Sequence, residues 1–149
     1  MRLVLWLLLA TSCLALAAGE EPSKQLNACS LVLEKEAVAV LGKPVAVPPR
    51  KTGALPSCQY KATAIENVTI TLYGTDQPWE KRIDFAEMTW GKKQEPVPGL
   101  GDRAAKVWRQ LFVEKKPVIF AVTLVHPMPD DEATKHLTAL AKLVLSRLP

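Results

Sequence analysis

Two cysteines, Cys29 and Cys58, constrain this chain more than any other feature. They follow an apolar N-terminal stretch that reads as an export signal, so they meet an oxidising compartment in which a disulfide persists. A bridge closing a loop of about thirty residues stabilises a domain by ~3–4 kcal/mol in the chain-entropy account. Other uses of the pair fit poorly. Two thiolates this far apart, with no Cys or His beside them, do not complete a tetrahedral metal site. No Cys-x-x-Cys motif occurs, which removes the usual dithiol redox chemistry. A Cys–His hydrolase would have to draw its base from His126 or His136, far along the chain. A structural disulfide between Cys29 and Cys58 is the expectation.

The start of the chain supports the compartment. Met1-Arg2 supplies one positive charge, Leu3 to Ala10 lacks a polar side chain, and Ala15-Leu16-Ala17-Ala18 precedes the polar Gly19-Glu20-Glu21. This is the pattern of a secretory signal peptide over residues 1–18, cleaved after Ala17 or Ala18. Residues 19–28 then read as a flexible N-terminal segment and 29–149 as a single domain. The third cysteine, Cys13, leaves with the leader in that reading. The alternative is a lipid anchor, because Ala10-Thr11-Ser12-Cys13 partly matches a lipobox, although Ala10 stands where Leu is usual. The protein is thus expected to be exported, periplasmic or secreted, or else lipid-anchored to the bacterial envelope.

Composition narrows the class. With 48% hydrophobic and 23% charged residues, the chain is neither disordered nor a multi-pass membrane protein. A formal charge of +4 lacks the dense basic stripe of a nucleic-acid binder. Basic pairs at Arg50-Lys51, Lys81-Arg82, Lys92-Lys93 and Lys115-Lys116 suit an anionic envelope component. More often such pairs solvate loops and discourage association at sheet edges.

Periodicity supplies the elements. Ala37, Val38, Val40 and Leu41, with Glu34 and Glu36 at the start and Gly42 and Pro44 at the end, predict a helix of about three turns with Ser30 as cap. The prolines of residues 44–57 predict an extended loop. Alternation from Cys58 to Ala64 and from Val68 to Tyr73 predicts a hairpin turning at Glu66-Asn67. Trp79, Ile83, Ala86 and Trp90 form one helical stripe, with Asp76 as cap and Pro78 in the first turn. Residues 95–102 predict a tight connection. Ala105–Trp108, Leu111–Glu114 and Val118–Val125 predict three strands, the last apolar on both faces and therefore central. After His126-Pro127-Met128-Pro129, Asp130 and Asp131 open a closing helix whose stripe is Leu137, Leu140, Ala141, Val144, Leu145 and Leu148. The expected fold class is α+β: a mostly antiparallel sheet of about five strands, in the order helix-β-β-helix-β-β-β-helix, with one disulfide.

Asn27-Ala28-Cys29-Ser30-Leu31-Val32, the run ending Leu41-Gly42-Lys43-Pro44-Val45, Cys58-Gln59-Tyr60 and Val97-Pro98-Gly99-Leu100-Gly101-Asp102-Arg103-Ala104 together resemble a family of small exported bacterial proteins, many of them lipoproteins, of no settled activity. The resemblance spans nearly the whole mature chain. It implies a Cys29–Cys58 disulfide and a compact helix-flanked sheet. One departure concerns Leu33, which stands where the family often has Thr or Ser capping the first helix.

Candidate sites each have a plain structural explanation. Gly99-Leu100-Gly101-Asp102 suggests an anion-binding nest, but no Gly-Lys-Ser/Thr follows, and a turn needing positive φ explains it. His126, Met128 and His136, with Asp130 nearby, offer imidazole and thioether ligands for copper, against a strand end followed by a helix face. Trp79, Trp90 and Trp108 suggest a groove, yet their spacing favours core packing. Asn67-Val68-Thr69 matches a glycosylation acceptor. Glu34/Glu36 and Asp130/Asp131 read as helix-start carboxylates. Catalytic motifs such as His-Glu-x-x-His, Gly-x-Ser-x-Gly and the P-loop are absent from the sequence. The functional expectation is a non-enzymatic exported module that binds an envelope protein, a ligand or an anionic envelope component, with no cofactor. Its alternatives are copper handling at the His126/Met128 loop and a hydrolase whose site assembles only in three dimensions.

Overall fold

The computed structural model describes residues 26–50, 55–74 and 77–149. The leader, the lipobox reading at Cys13, the basic residue Lys51 and the helix-cap reading of Asp76 lie outside the described residues. Helices α1 (Ala28–Leu31) and α2 (Glu34–Leu41) come first. Strands β1 (Val47–Arg50), β2 (Ser57–Thr63) and β3 (Glu66–Tyr73) follow. Helix α3 (Trp79–Trp90) leads to β4 (Glu95–Pro96), β5 (Arg103–Val107), β6 (Gln110–Lys115) and β7 (Val118–Val125), and α4 (Asp130–Arg147) closes the domain. The strands form one antiparallel sheet of order β1-β2-β3-β7-β6-β5-β4. The α+β class and the Cys29–Cys58 disulfide are as expected, with Cα atoms 5.0 Å apart. Among the described residues, no helix is long and apolar enough to cross a membrane.

The sheet has seven strands where the sequence predicts about five, and the two additions are its edges. Val47-Pro48-Pro49-Arg50 pairs irregularly with β2, and Glu95-Pro96 pairs with β5. Proline is a poor strand former because it lacks a donor, but an edge strand needs only one side of its ladder. The prolines also leave both edges poor templates for a further strand.

The first predicted helix is two. Asn27, not Ser30, caps α1, its side-chain oxygen accepting from the Cys29 N–H at 3.1 Å. The chain breaks at Val32, and Leu33 takes the N-cap position of α2 without a side-chain bond to give. Glu36 compensates by accepting the Leu33 N–H at 2.7 Å. The carbonyls left open by the break find partners elsewhere. The Tyr60 hydroxyl donates to Val32 O and, at 3.2 Å, to Cys29 O, while Arg147 Nη1 donates to Leu31 O at 2.9 Å. Leu26 already packs against the core and Ala28 is buried, so the fold reaches ahead of Cys29.

The hairpin between β2 and β3 turns at Ala64-Ile65, two residues earlier than Glu66-Asn67. Glu66 starts β3 instead, because its buried carboxylate is clamped by Lys43 Nζ at 2.7 and 2.9 Å. Strand β7 occupies the middle of the sheet, pairing with β3 from Asn67–Val125 to Tyr73–Ile119 and with β6 on its other side.

Two cores result. On one face Tyr60, Val68, Ile70, Leu72, Leu111, Phe120, Val122 and Leu124 pack under α1, α2 and α4, whose stripe at Leu137, Leu140, Ala141 and Val144 is buried as predicted. On the other face a smaller cluster joins Trp79, Ile83 and Ala86 of α3 to Ala105, Val107, Phe112, Ile119 and Ala121 of β5, β6 and β7.

Arg147 ties the last helix to the second. Its guanidinium holds Glu36 through bonds of 2.7 and 2.6 Å, which lowers the Glu36 carboxyl from an ordinary 4.5 to about 2. A carboxylate favoured in the folded state stabilises fully above its unfolded pKa and loses that contribution as pH falls through the folded one. We therefore expect Arg147→Ala to destabilise the domain at pH 7, read as a lower urea midpoint. In urea unfolding the gap between variant and wild type should narrow as pH falls from about 4.5 towards 2. An unchanged gap at low pH would assign the effect to the Arg147 stem and its bond to Leu31 O.

Candidate functional site

The second face of the sheet is covered unevenly. Helix α3 buries Trp79, Ile83 and Ala86 against β5, β6 and β7. Beyond β7 the same face carries half-buried polar residues, namely Gln59 and Lys61 on β2 and Asn67, Thr69 and Thr71 on β3. Between α3 and this polar half lies a cleft of about 480 Å³. Its floor is Tyr73 and Phe112, whose ring centroids stand 6.1 Å apart. Phe85 and Trp90 on α3, Leu55 before β2 and Gln110 on β6 complete the lining. A concave, largely apolar site with a few placed polar groups is the usual form of a small-molecule pocket.

The walls leave large apolar side chains in water. Phe85 is 65% exposed, Met88 beside it on α3 is 75% exposed and Trp90 is 36% exposed. Exposed apolar groups gathered at one place mark interaction sites more often than scattered ones do. Trp90 is held in position, with its Nε1 donating to Gln110 Oε1 at 3.2 Å and its ring 4.6 Å from that of Trp108. Trp108 sits in the β5–β6 turn at φ 52°, where the hairpin reverses. Arg82 also lines the cleft, lying over the Tyr73 ring at 4.5 Å and donating to Gly74 O. Burial raises the Tyr73 hydroxyl above its ordinary pKa, and the nearby Arg82 opposes that shift.

The tryptophans correct the sequence reading. Of Trp79, Trp90 and Trp108, only Trp79 is a core residue, buried with Arg103 stacked on its ring at 4.6 Å. Trp90 follows the same helical stripe, but the sheet beneath it has run out at the β5–β6 turn. It becomes the rim of a groove.

Other candidate residues fall where plain structure needs them. Gly99 and Gly101 adopt φ of 77° and 58° in a turn that buries Leu100, with the Asp102 N–H donating to Glu114 O at 2.8 Å. Asp102 Oδ2 in turn accepts from the Lys116 N–H, so the carboxylate pins the neighbouring hairpin. The copper candidates point to different surroundings. His126 Nε2 lies 3.7 Å from Glu66, Met128 is buried in the larger core, and His136 Nε2 lies 3.8 Å from Glu132. Among the described residues, no three His, Cys, Asp or Glu side chains come together as a metal cluster. Asp130 pairs with Arg109, which also donates to the His126 and Met128 carbonyls and so clasps the β7–α4 loop to the β5–β6 turn. Asn67 lies within β3, opposite Lys61 and Val125. Several basic side chains face acids, including Lys93 with Glu87 and Arg103 with Glu80 and Glu114.

No protein-family model, no curated protein and no solved structure matches the chain.

Proposed function

We propose that this is an exported, non-enzymatic binding module whose ligand sits in the cleft between α3 and the sheet. The carrying observation is the cleft itself, where exposed Phe85 and Trp90 stand over an aromatic floor with the amide of Gln110 in the lining. The export half of the reading rests on the leader at residues 1–18 and on a disulfide that an oxidising compartment preserves. The resemblance to small exported bacterial proteins points the same way.

Retention of small molecules from an envelope extract tests the reading. The purified domain, equilibrated with the extract and washed, should retain one or more compounds by mass spectrometry. Thr89 lines the cleft from an exposed position on α3, so Thr89→Trp fills the space while leaving stability within ~0.5 kcal/mol. The retained compounds should fall at least tenfold in that variant. Equal retention by wild type and Thr89→Trp sinks the cleft as the ligand site.

A further inference from the structure

The cleft meets the polar half of the sheet at Gln110, and strand register fixes how. Gln59 stands directly opposite Thr69, Thr69 opposite Thr123, and Thr123 opposite Gln110. Residues paired across neighbouring strands present their side chains on one face. Gln110 belongs both to this row and to the lining of the cleft. Phe112, two residues along β6, lies on the same face and forms the floor. An aromatic recess and a row of two amides and two hydroxyls therefore adjoin on one sheet face, with Trp90 bonded to Gln110 where they meet.

Resting on the cleft reading, we infer that the groove takes an uncharged amphiphile, with an apolar ring or short chain between Trp90 and Phe112 and a hydroxyl-bearing head on the Gln59–Thr69–Thr123–Gln110 row. Amides and hydroxyls both donate and accept, so they match a head group that does the same. The Gln59 amide lies 3.5 Å from the Thr69 hydroxyl, close enough to serve one head together. A charged head laid on this row would lose water without gaining an opposite charge, which is costly. The nearest cations are differently placed. Arg82 lines the aromatic recess, not the row, and is engaged there by the Tyr73 ring and Gly74 O, and Lys61 stands in the next row, opposite Asn67.

Octyl β-D-glucoside below its micellar threshold is a suitable probe, with glucose and octanoate as head-only and anionic-head controls. Tryptophan emission should change saturably with the glucoside, and both controls should bind at least tenfold more weakly. Thr123→Val keeps the side-chain shape, removes the hydroxyl, and should weaken the glucoside at least fivefold. Octanoate binding as tightly as the glucoside overturns the inference, as does an unaltered affinity in Thr123→Val, or no saturable change with the glucoside. If octanoate binds as tightly and Thr89→Trp abolishes its binding, the cleft reading stands and only the neutral head is wrong. If Thr89→Trp binds every probe like wild type, the cleft reading itself has failed.

Discussion

Replacing Cys29 and Cys58 together by alanine should lower the stability of the domain by about 3–4 kcal/mol, read as a fall in the urea midpoint. The bridge spans a sequence separation of 29 and joins the short helix α1 to β2. Helix α1 has only four residues, far too few to be helical alone. It is held by burial of Ala28 and Leu31, by Tyr60 and Arg147 on its open carbonyls, and by the disulfide. Cys58 is fully buried and faces the larger core, so alanine there also removes a sulfur from packed surroundings. A double variant within 1 kcal/mol of wild type would mean that Tyr60 and Arg147 secure α1 without the covalent link.

Gly101→Ala should be similarly damaging, at about 3 kcal/mol or more, whereas Gly99→Ala should cost about 1–2 kcal/mol. Both glycines are left-handed, with φ of 58° and 77°. They differ in what a side chain would meet. A Cβ on Gly99 meets nothing within 4 Å, so only the backbone preference is lost. On Gly101 it would lie 2.3 Å from Glu114 O and 2.9 Å from Val113 Cγ1. Glu114 O is the acceptor for the Asp102 N–H, so the turn cannot retreat without breaking the bond that seats it on β6. Thermal unfolding of the two variants side by side measures the contrast. Equal shifts would show that the chain relaxes around Gly101 at no extra cost.

Where the sequence was readable, one physical pattern dominated. Helix α4 and strand β7 bury what their periodicity predicts, since a long stripe or a two-sided apolar run has few alternative placements. The cysteine pair was equally plain. Short elements were less readable. Prolines in β1 and β4 argue against strands anywhere except an edge, and edges are set by the topology of the whole sheet. The break at Val32 depends on Tyr60 and Arg147, which are distant in sequence and arrive only with the tertiary fold. The cleft was hidden for a related reason. The stripe Trp79–Ile83–Ala86–Trp90 states the direction in which Trp90 points, but says nothing of how far the sheet extends beneath it. The polar row was hidden more completely, because it exists only once β2, β3, β7 and β6 are in register.

The unequal cores have a consequence for motion. Three helices and the disulfide secure the larger one, while α3 rests on the smaller cluster and on a few contacts of Glu80 and Trp90. Elements with fewer buried contacts open at lower free energy than the rest of a domain. The wall of the groove is thus its most easily released part. A molecule wedged between Phe85, Trp90 and the sheet would hold that helix down, and undocking of the helix would let the molecule go. Residence time in the groove would then follow the lifetime of the docked helix.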